Sequence, residues 1–128
     1  MSILGYKRAT IILSMVSLAL IALNVLLFIG YAPLKLQLML ASEQIQIFEE
    51  MRGRALQASP SEAAGCLEYV VGYYPSGTKQ VVGSRIDRMV EQARASAVRE
   101  IVAYLRSKTG ADLGSNAELW IQKCAARN

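Results

Sequence analysis

The first quarter of the chain is one long apolar run. From Ala9 to Leu34 no residue carries a charge, whereas charged residues recur through the rest of the sequence. About 20 apolar residues cross a bilayer as a helix, because backbone groups inside hydrocarbon must satisfy their own hydrogen bonds. The pattern predicts a transmembrane helix over residues 9–32. Tyr31 suits the headgroup region, where aromatic rings prefer to lie.

A cleaved signal peptide is the alternative to a retained anchor, since Gly30 and Ala32 are small residues at a spacing suited to cleavage. The run is, however, longer than the apolar core of about 7–15 residues that signal sequences have. Pro33, directly after the cleavage point, also disfavours cleavage. We expect a retained anchor, which Gly30 and Pro33 interrupt or kink.

The basic residues that flank the run predict its orientation. Lys7 and Arg8 precede it, and Lys35 alone follows it closely. Because positive charge tends to stay cytoplasmic, residues 1–8 are expected to form a short cytoplasmic N-terminus. The domain that follows would then be extracytoplasmic, and the protein a single-pass membrane protein.

One face of the predicted membrane helix carries small, hydroxyl and amide side chains. Small residues let helices approach closely, and an amide in lipid seeks a hydrogen-bond partner. This pattern favours packing on another membrane helix, of the same chain or of another subunit. The alternative is that the serine and threonine hydroxyls bond back to their own helix and that Asn24 reaches towards the headgroups. The face consists of Thr10, Ser14, Ser17, Ile21 and Asn24.

Residues 33–57 predict a juxtamembrane amphipathic helix. Leucines alternate here as they do in a strand, but apolar residues also recur at helical spacing, and good helix formers outnumber β-branched residues. Its expected contact face contains Leu38, Ile45 and Phe48.

Residues 58–128 predict a small domain of about three helices, which makes the protein all-α. A hydroxyl cap followed three residues later by a carboxylate marks a helix start, and glycine or proline marks a stop. The predicted starts are Ser59 with Glu62, Ser84 with Asp87, and Ser115 with Glu118; the predicted stops of the first two are Pro75 and Gly110. Trp120, together with the tyrosines, is the expected core anchor.

Composition narrows the chemistry. The chain has no histidine, two cysteines and a net charge of +4. These numbers disfavour histidine-based catalysis, imidazole metal sites and four-thiolate zinc. We expect no enzyme activity, no cofactor, no metal and no nucleic acid, and a small-molecule ligand is not expected either. A basic face on the third domain helix is the candidate anion contact, formed by Arg85, Arg88, Arg94 and Arg99.

The two cysteines, Cys66 and Cys124, both lie in the predicted domain. In an oxidising compartment they would form a disulfide, and that bridge would stabilise the domain by about 4 kcal/mol. The alternative is a pair of buried free thiols that act as small apolar side chains.

The segment from Leu105 to Trp120 resembles the tail of bacterial HEAT-repeat proteins. In that family a helix ends in Thr-Gly-x-Asp-apolar-Gly, as in Thr109–Gly114 here, and a tryptophan follows on a short helix. The resemblance implies an α-helical interaction module rather than an enzyme.

These features predict a non-enzymatic, single-pass membrane protein that acts as a structural or accessory subunit of a membrane complex. Its partners would be the bilayer and other membrane subunits, or further copies of itself. The alternative is a membrane-tethered binding or sensing domain, whose basic third helix contacts an anionic ligand or lipid.

Overall fold

The computed structural model describes the backbone of residues 3–125 and the side chains from Gly5 onward. Within that range it is all-helical, without a strand, as the sequence predicts. The helices are α1 (Ile3–Ala55), α2 (Pro60–Gly72), α3 (Arg85–Thr109) and α4 (Ala117–Ala125). The chain divides into two compact units, Met1–Leu36 and Gln37–Asn128. The second unit is called the helical domain below.

The first unit consists of the apolar part of α1. The predicted interruption near Gly30 and Pro33 is absent, since the helix continues through Pro33 to Ala55. Proline in a helix interior loses one N–H bond and crowds the carbonyl four residues earlier, yet long apolar helices tolerate it. The predicted transmembrane and juxtamembrane helices are therefore one helix.

The end of α1 belongs to the helical domain and contributes to its core. Its fully or nearly buried positions follow one stripe with spacings of three, four and seven: Ala41, Gln44, Phe48 and Ala55. The Phe48 ring lies edge-on to the Tyr73 ring at 6.2 Å between centroids. This stripe differs from the predicted contact face because Gln44 is buried, where its Oε1 accepts a hydrogen bond of 2.7 Å from Gln80.

α2 begins with the predicted capping box. The Ser59 hydroxyl accepts from the Glu62 amide, and the Glu62 carboxylate accepts from the Ser59 amide. The helix ends at Gly72 rather than at Pro75, and Tyr74 has a positive φ of 40°. A residue that precedes proline is disfavoured in helical conformation, which accounts for the earlier end.

α3 follows its predicted bounds. Ser84 caps its start and Gly110, in the left-handed region, caps its end. α4 begins one residue later than predicted, because the Oδ1 of Asn116, rather than Ser115, accepts from the Glu118 amide at 3.0 Å. Asparagine and serine are equally good N-caps, so the sequence does not separate the two.

The core gathers where α2, α3, α4 and the end of α1 meet. Trp120 is fully buried, as predicted, and its indole N–H donates to the carbonyl of Gly114 at 2.9 Å. This bond ties α4 to the loop after α3. The other large buried side chains are Phe48, Leu67, Ile101 and Leu105.

Inside the domain, α3 lies alongside the end of α1 and runs in the same direction. Ile86 lines a groove with Leu38, and further along Arg52 pairs with Glu100 at 2.6 Å. Beyond them the Tyr104 hydroxyl donates to the carbonyl of Ala58. The domain therefore has two ends. At the proximal end the chain enters at Gln37 and α3 begins; at the distal end α3 stops and α4 follows.

Candidate functional site

The apolar segment of α1 is exposed along its whole length. Every residue from Gly5 to Leu36 is exposed, and the segment is long and apolar enough to cross a membrane. A core helix of a soluble protein would be mostly buried, whereas the residues that the structure describes bury none of this apolar stretch. The exposed side chains include Ile12, Val16, Leu20, Leu23 and Leu27.

The predicted packing face of this segment lies on one side of an unbroken helix. Two of its polar groups bond back to their own helix; the alternative interpretation predicts this for Thr10, but predicts that Asn24 reaches towards the headgroups. The Thr10 hydroxyl donates to Tyr6 O at 3.0 Å, and the Asn24 amide donates to Leu20 O at 2.9 Å. An amide group offers two donors and one carbonyl acceptor. The one described bond of Asn24 uses one of its two N–H donors.

The residues of the predicted juxtamembrane contact face differ in how far they are buried. Phe48 is fully buried in the domain core and Ile45 is half-buried, while Leu38 remains half exposed. Phe48 therefore cannot contact a partner. Leu38 and Ile45 instead line a narrow apolar groove of about 210 Å³, whose other walls are Ala41, Ser42, Ile86 and Met89.

Arg94, one of the predicted anion contacts, is buried and bonded to backbone carbonyls. It is 9% exposed, and its guanidinium donates to Val70 O at 2.6 Å and Tyr74 O at 2.7 Å. It also lies 4.7 Å from the centre of the Phe48 ring. A buried cation beside the last carbonyls of a helix satisfies them and complements the helix dipole. Arg94 thus holds the end of α2 against α3 and α1.

The other three predicted anion contacts are exposed on α3. Arg85 and Arg88 lie at its first turn, at the proximal end, where Arg88 donates to the carbonyl of Gly83 at 2.8 Å. Arg99 lies 14 residues beyond Arg85, which is about 21 Å along a helix and on nearly the same face. The structure therefore brings two of the four arginines together and separates the other two from them.

Asp87 organises the loop before α3, although the sequence indicates only its place in a helix start. Its buried carboxylate accepts from the Ser76 hydroxyl at 2.8 Å and from the Gly83 amide at 2.9 Å. The Gly83 backbone bond, followed by the Ser76 hydroxyl, holds the pKa of Asp87 below its ordinary value. The sequence feature that could have indicated this role is the glycine and the capping serine that shortly precede Asp87.

Both cysteines are buried free thiols in this structure, which is the alternative to the disulfide. Cys66 lies on α2 and Cys124 on α4, each on the core side of its helix. Within the part of the chain that the structure describes, no three His, Cys, Asp or Glu side chains form a group able to hold a metal ion.

Comparison of the chain with protein-family profiles, with curated proteins and with solved structures gave no match. The similarity of the Leu105–Trp120 segment to HEAT-repeat tails stays a prediction. In this structure that segment forms the end of α3, the loop that accepts the Trp120 indole bond, and the start of α4.

Proposed function

We propose that the protein is a non-enzymatic, single-pass membrane protein that serves as a structural or accessory subunit of a membrane complex. The observation that carries the proposal is the apolar part of α1, which is exposed on all sides. Exposed apolar surface on this scale requires a cover, because water disfavours it by about 25 cal/mol for each Å². Lipid and neighbouring membrane helices are the covers that fit a helix of this length.

The polar face supports association rather than anchoring alone. Ser14 and Ser17 permit close helix approach, and the Asn24 carbonyl can accept a bond across a helix pair. In the proposed topology, residues 1–8 are cytoplasmic, residues 9–32 span the membrane and the helical domain is extracytoplasmic. Partners are other membrane subunits or further copies of the chain.

Association is tested by co-purification of the full chain from native membranes in a mild detergent, together with cross-linking in those membranes. We expect a discrete partner or a homo-oligomer. A strictly monomeric chain that cross-links to nothing would contradict the proposal.

A matched pair of variants locates the face. Ser17→Leu adds bulk on the polar face, whereas Ala19→Leu adds bulk about 200° away around the helix. We expect Ser17→Leu to weaken recovery of the partner about fivefold, since a membrane helix contact is worth about 1 kcal/mol. Ala19→Leu should leave recovery unchanged. Equal effects of the two variants would remove the assignment of this face.

Topology is tested separately by adding a protease to sealed vesicles whose outer face is the extracytoplasmic face of the membrane. Digestion of the helical domain is expected. Protection of the domain until the vesicles are opened would reverse the proposed orientation.

A further inference from the structure

The loop before α3 exposes two adjacent valines. Val81 is 64% exposed and Val82 is 71% exposed, and Gly83 alone separates them from Ser84, the cap of α3 at the proximal end. We call this pair the valine loop. Isolated surface valines are ordinary, but two adjacent ones beside further apolar surface form a patch that needs an occupant.

The valine loop is held in place by bonds on both sides. Gln80 donates to the buried Gln44 of α1, and the Ser84 amide donates to the carbonyl of Val81 at 3.0 Å. Val82 lies so close to Gly77 that a Cβ there would fall 2.5 Å from the Val82 Cγ2. Gly77 also has a φ of 87°, a conformation that L side chains rarely adopt. The fold therefore fixes this loop with its valines outward.

Further apolar surface lies in the groove between α1 and the first turns of α3, which follow the valine loop in the chain. Leu38 is 50% exposed and Met89 is 53% exposed on its two walls. Leu38 is the second residue of the helical domain. It follows Leu34, the last residue of the uncharged run, by four positions, which corresponds to about 6 Å of helix.

The charges at this end are predominantly positive on the outside. Arg85 and Arg88 are exposed next to the valine loop. Of the nearby carboxylates, Asp87 is buried in the loop's hydrogen bonds, and Glu43 lies 3.9 Å from Lys79. Apolar side chains flanked by arginines suit the boundary between acyl chains and anionic headgroups.

We propose that the valine loop docks in the headgroup layer of the bilayer that α1 crosses, with Arg85 and Arg88 on anionic phospholipid headgroups. This inference rests on the proposed membrane span. The headgroup layer is about 5–8 Å thick on each side of the hydrocarbon core, and interfacial groups bury about 5–10 Å into it. The continuous helix keeps Leu38, one wall of the groove that Ile86 of α3 also lines, within about that distance of the uncharged run.

The test uses nitroxide labels on the full chain in vesicles of phosphatidylcholine and phosphatidylglycerol. Labels are placed at Val82→Cys, at Val16→Cys in the span and at the distal Leu119→Cys, in a chain carrying Cys66→Ala and Cys124→Ala. Collision with oxygen reports lipid, and collision with a water-soluble nickel chelate reports water. We expect labels 16 and 82 in lipid and label 119 in water.

The other outcomes separate this inference from the proposal on which it rests. Label 82 in water with label 16 in lipid overturns the docking and leaves the span intact. Label 16 in water overturns the span and the docking with it. Label 82 shielded from both reagents means contact with protein, which also overturns docking on lipid.

A second measurement keeps the native cysteines. Hydrogen exchange of the amides around Val82 should be slower in nanodiscs that contain phosphatidylglycerol than in phosphatidylcholine alone. Arg85→Glu should reduce the docked-to-free ratio at least about fivefold, because each cation near an anionic surface contributes about that factor. Arg99→Glu, the matched distal control, should leave the ratio unchanged. The proposal would be overturned if the exchange rate did not depend on lipid charge, or if Arg85→Glu and Arg99→Glu had equal effects.

Discussion

The two parts of α1 are continuous in the chain but differ in what covers them. Every residue from Ala9 to Leu34 is exposed and none is charged, whereas the part from Ala41 to Ala55 buries one stripe in the domain and exposes charged residues elsewhere. Helix formation is therefore common to both parts, and among the described residues of α1 only those of the second part bury apolar side chains. The cover of the first part is what the proposed membrane span would supply.

The largest expected difference in the free energy of unfolding is between two Phe→Ala variants, one in each part of α1. Phe48 is fully buried, whereas Phe28 is 73% exposed in the apolar segment. Phe48→Ala should lower the free energy of unfolding of the domain by about 4 kcal/mol, because it leaves a cavity. Phe28→Ala should leave that free energy unchanged. Denaturant unfolding of the full chain in detergent, followed by circular dichroism, measures both; equal effects would erase the distinction between the two parts.

Arg94 sharpens the comparison, because it joins the buried part of α1 to the end of α2. Arg94→Met should lower the free energy of unfolding by about 3 kcal/mol, since it leaves the carbonyls of Val70 and Tyr74 without their charged donor. The exposed Arg99→Met is the control and should change it by no more than about 0.5 kcal/mol. If Arg94→Met lowered the free energy of unfolding no more than Arg99→Met, the structural role of Arg94 would be contradicted and Arg94 would again be a candidate anion contact.

Asp87 gives a smaller effect that depends on pH. Its folded pKa is lowered, so its contribution to stability is present above the ordinary aspartate value of about 3.9 and is lost as pH falls through the lower folded pKa. The difference in melting temperature between the wild type and Asp87→Asn should therefore be full near neutrality and should shrink below about pH 4. Ser76→Ala, which removes one donor, should show the same trend with smaller amplitude. A difference that persists unchanged in acid would contradict this role.

Local signals in the sequence predicted most of the domain. The Ser59 and Ser84 caps and the Gly110 stop were confirmed because capping depends on residues within one turn. The burial of Trp120 was also confirmed.

The misplaced residues depend on contacts between distant segments. Gln44 is buried because Gln80, 36 positions later, donates to it, and Arg94 is buried because α2 ends beside it. The spacing of apolar residues within α1 or α3 does not indicate which residues of other segments will contact them. The spacing of Leu38, Ile45 and Phe48 predicted one contact face of the helix. The buried face instead includes Gln44 and leaves Leu38 half exposed, because the domain core packs on a different side of α1.

The account depends most directly on the apolar part of α1 being held in lipid. The decisive measurement is alkaline carbonate extraction of membranes that contain the full chain, followed by flotation of the pellet in a density gradient to separate lipid-bound protein from aggregates. The account predicts that the intact chain stays in the pellet and floats with lipid. Recovery of the intact chain in the alkaline supernatant would contradict it.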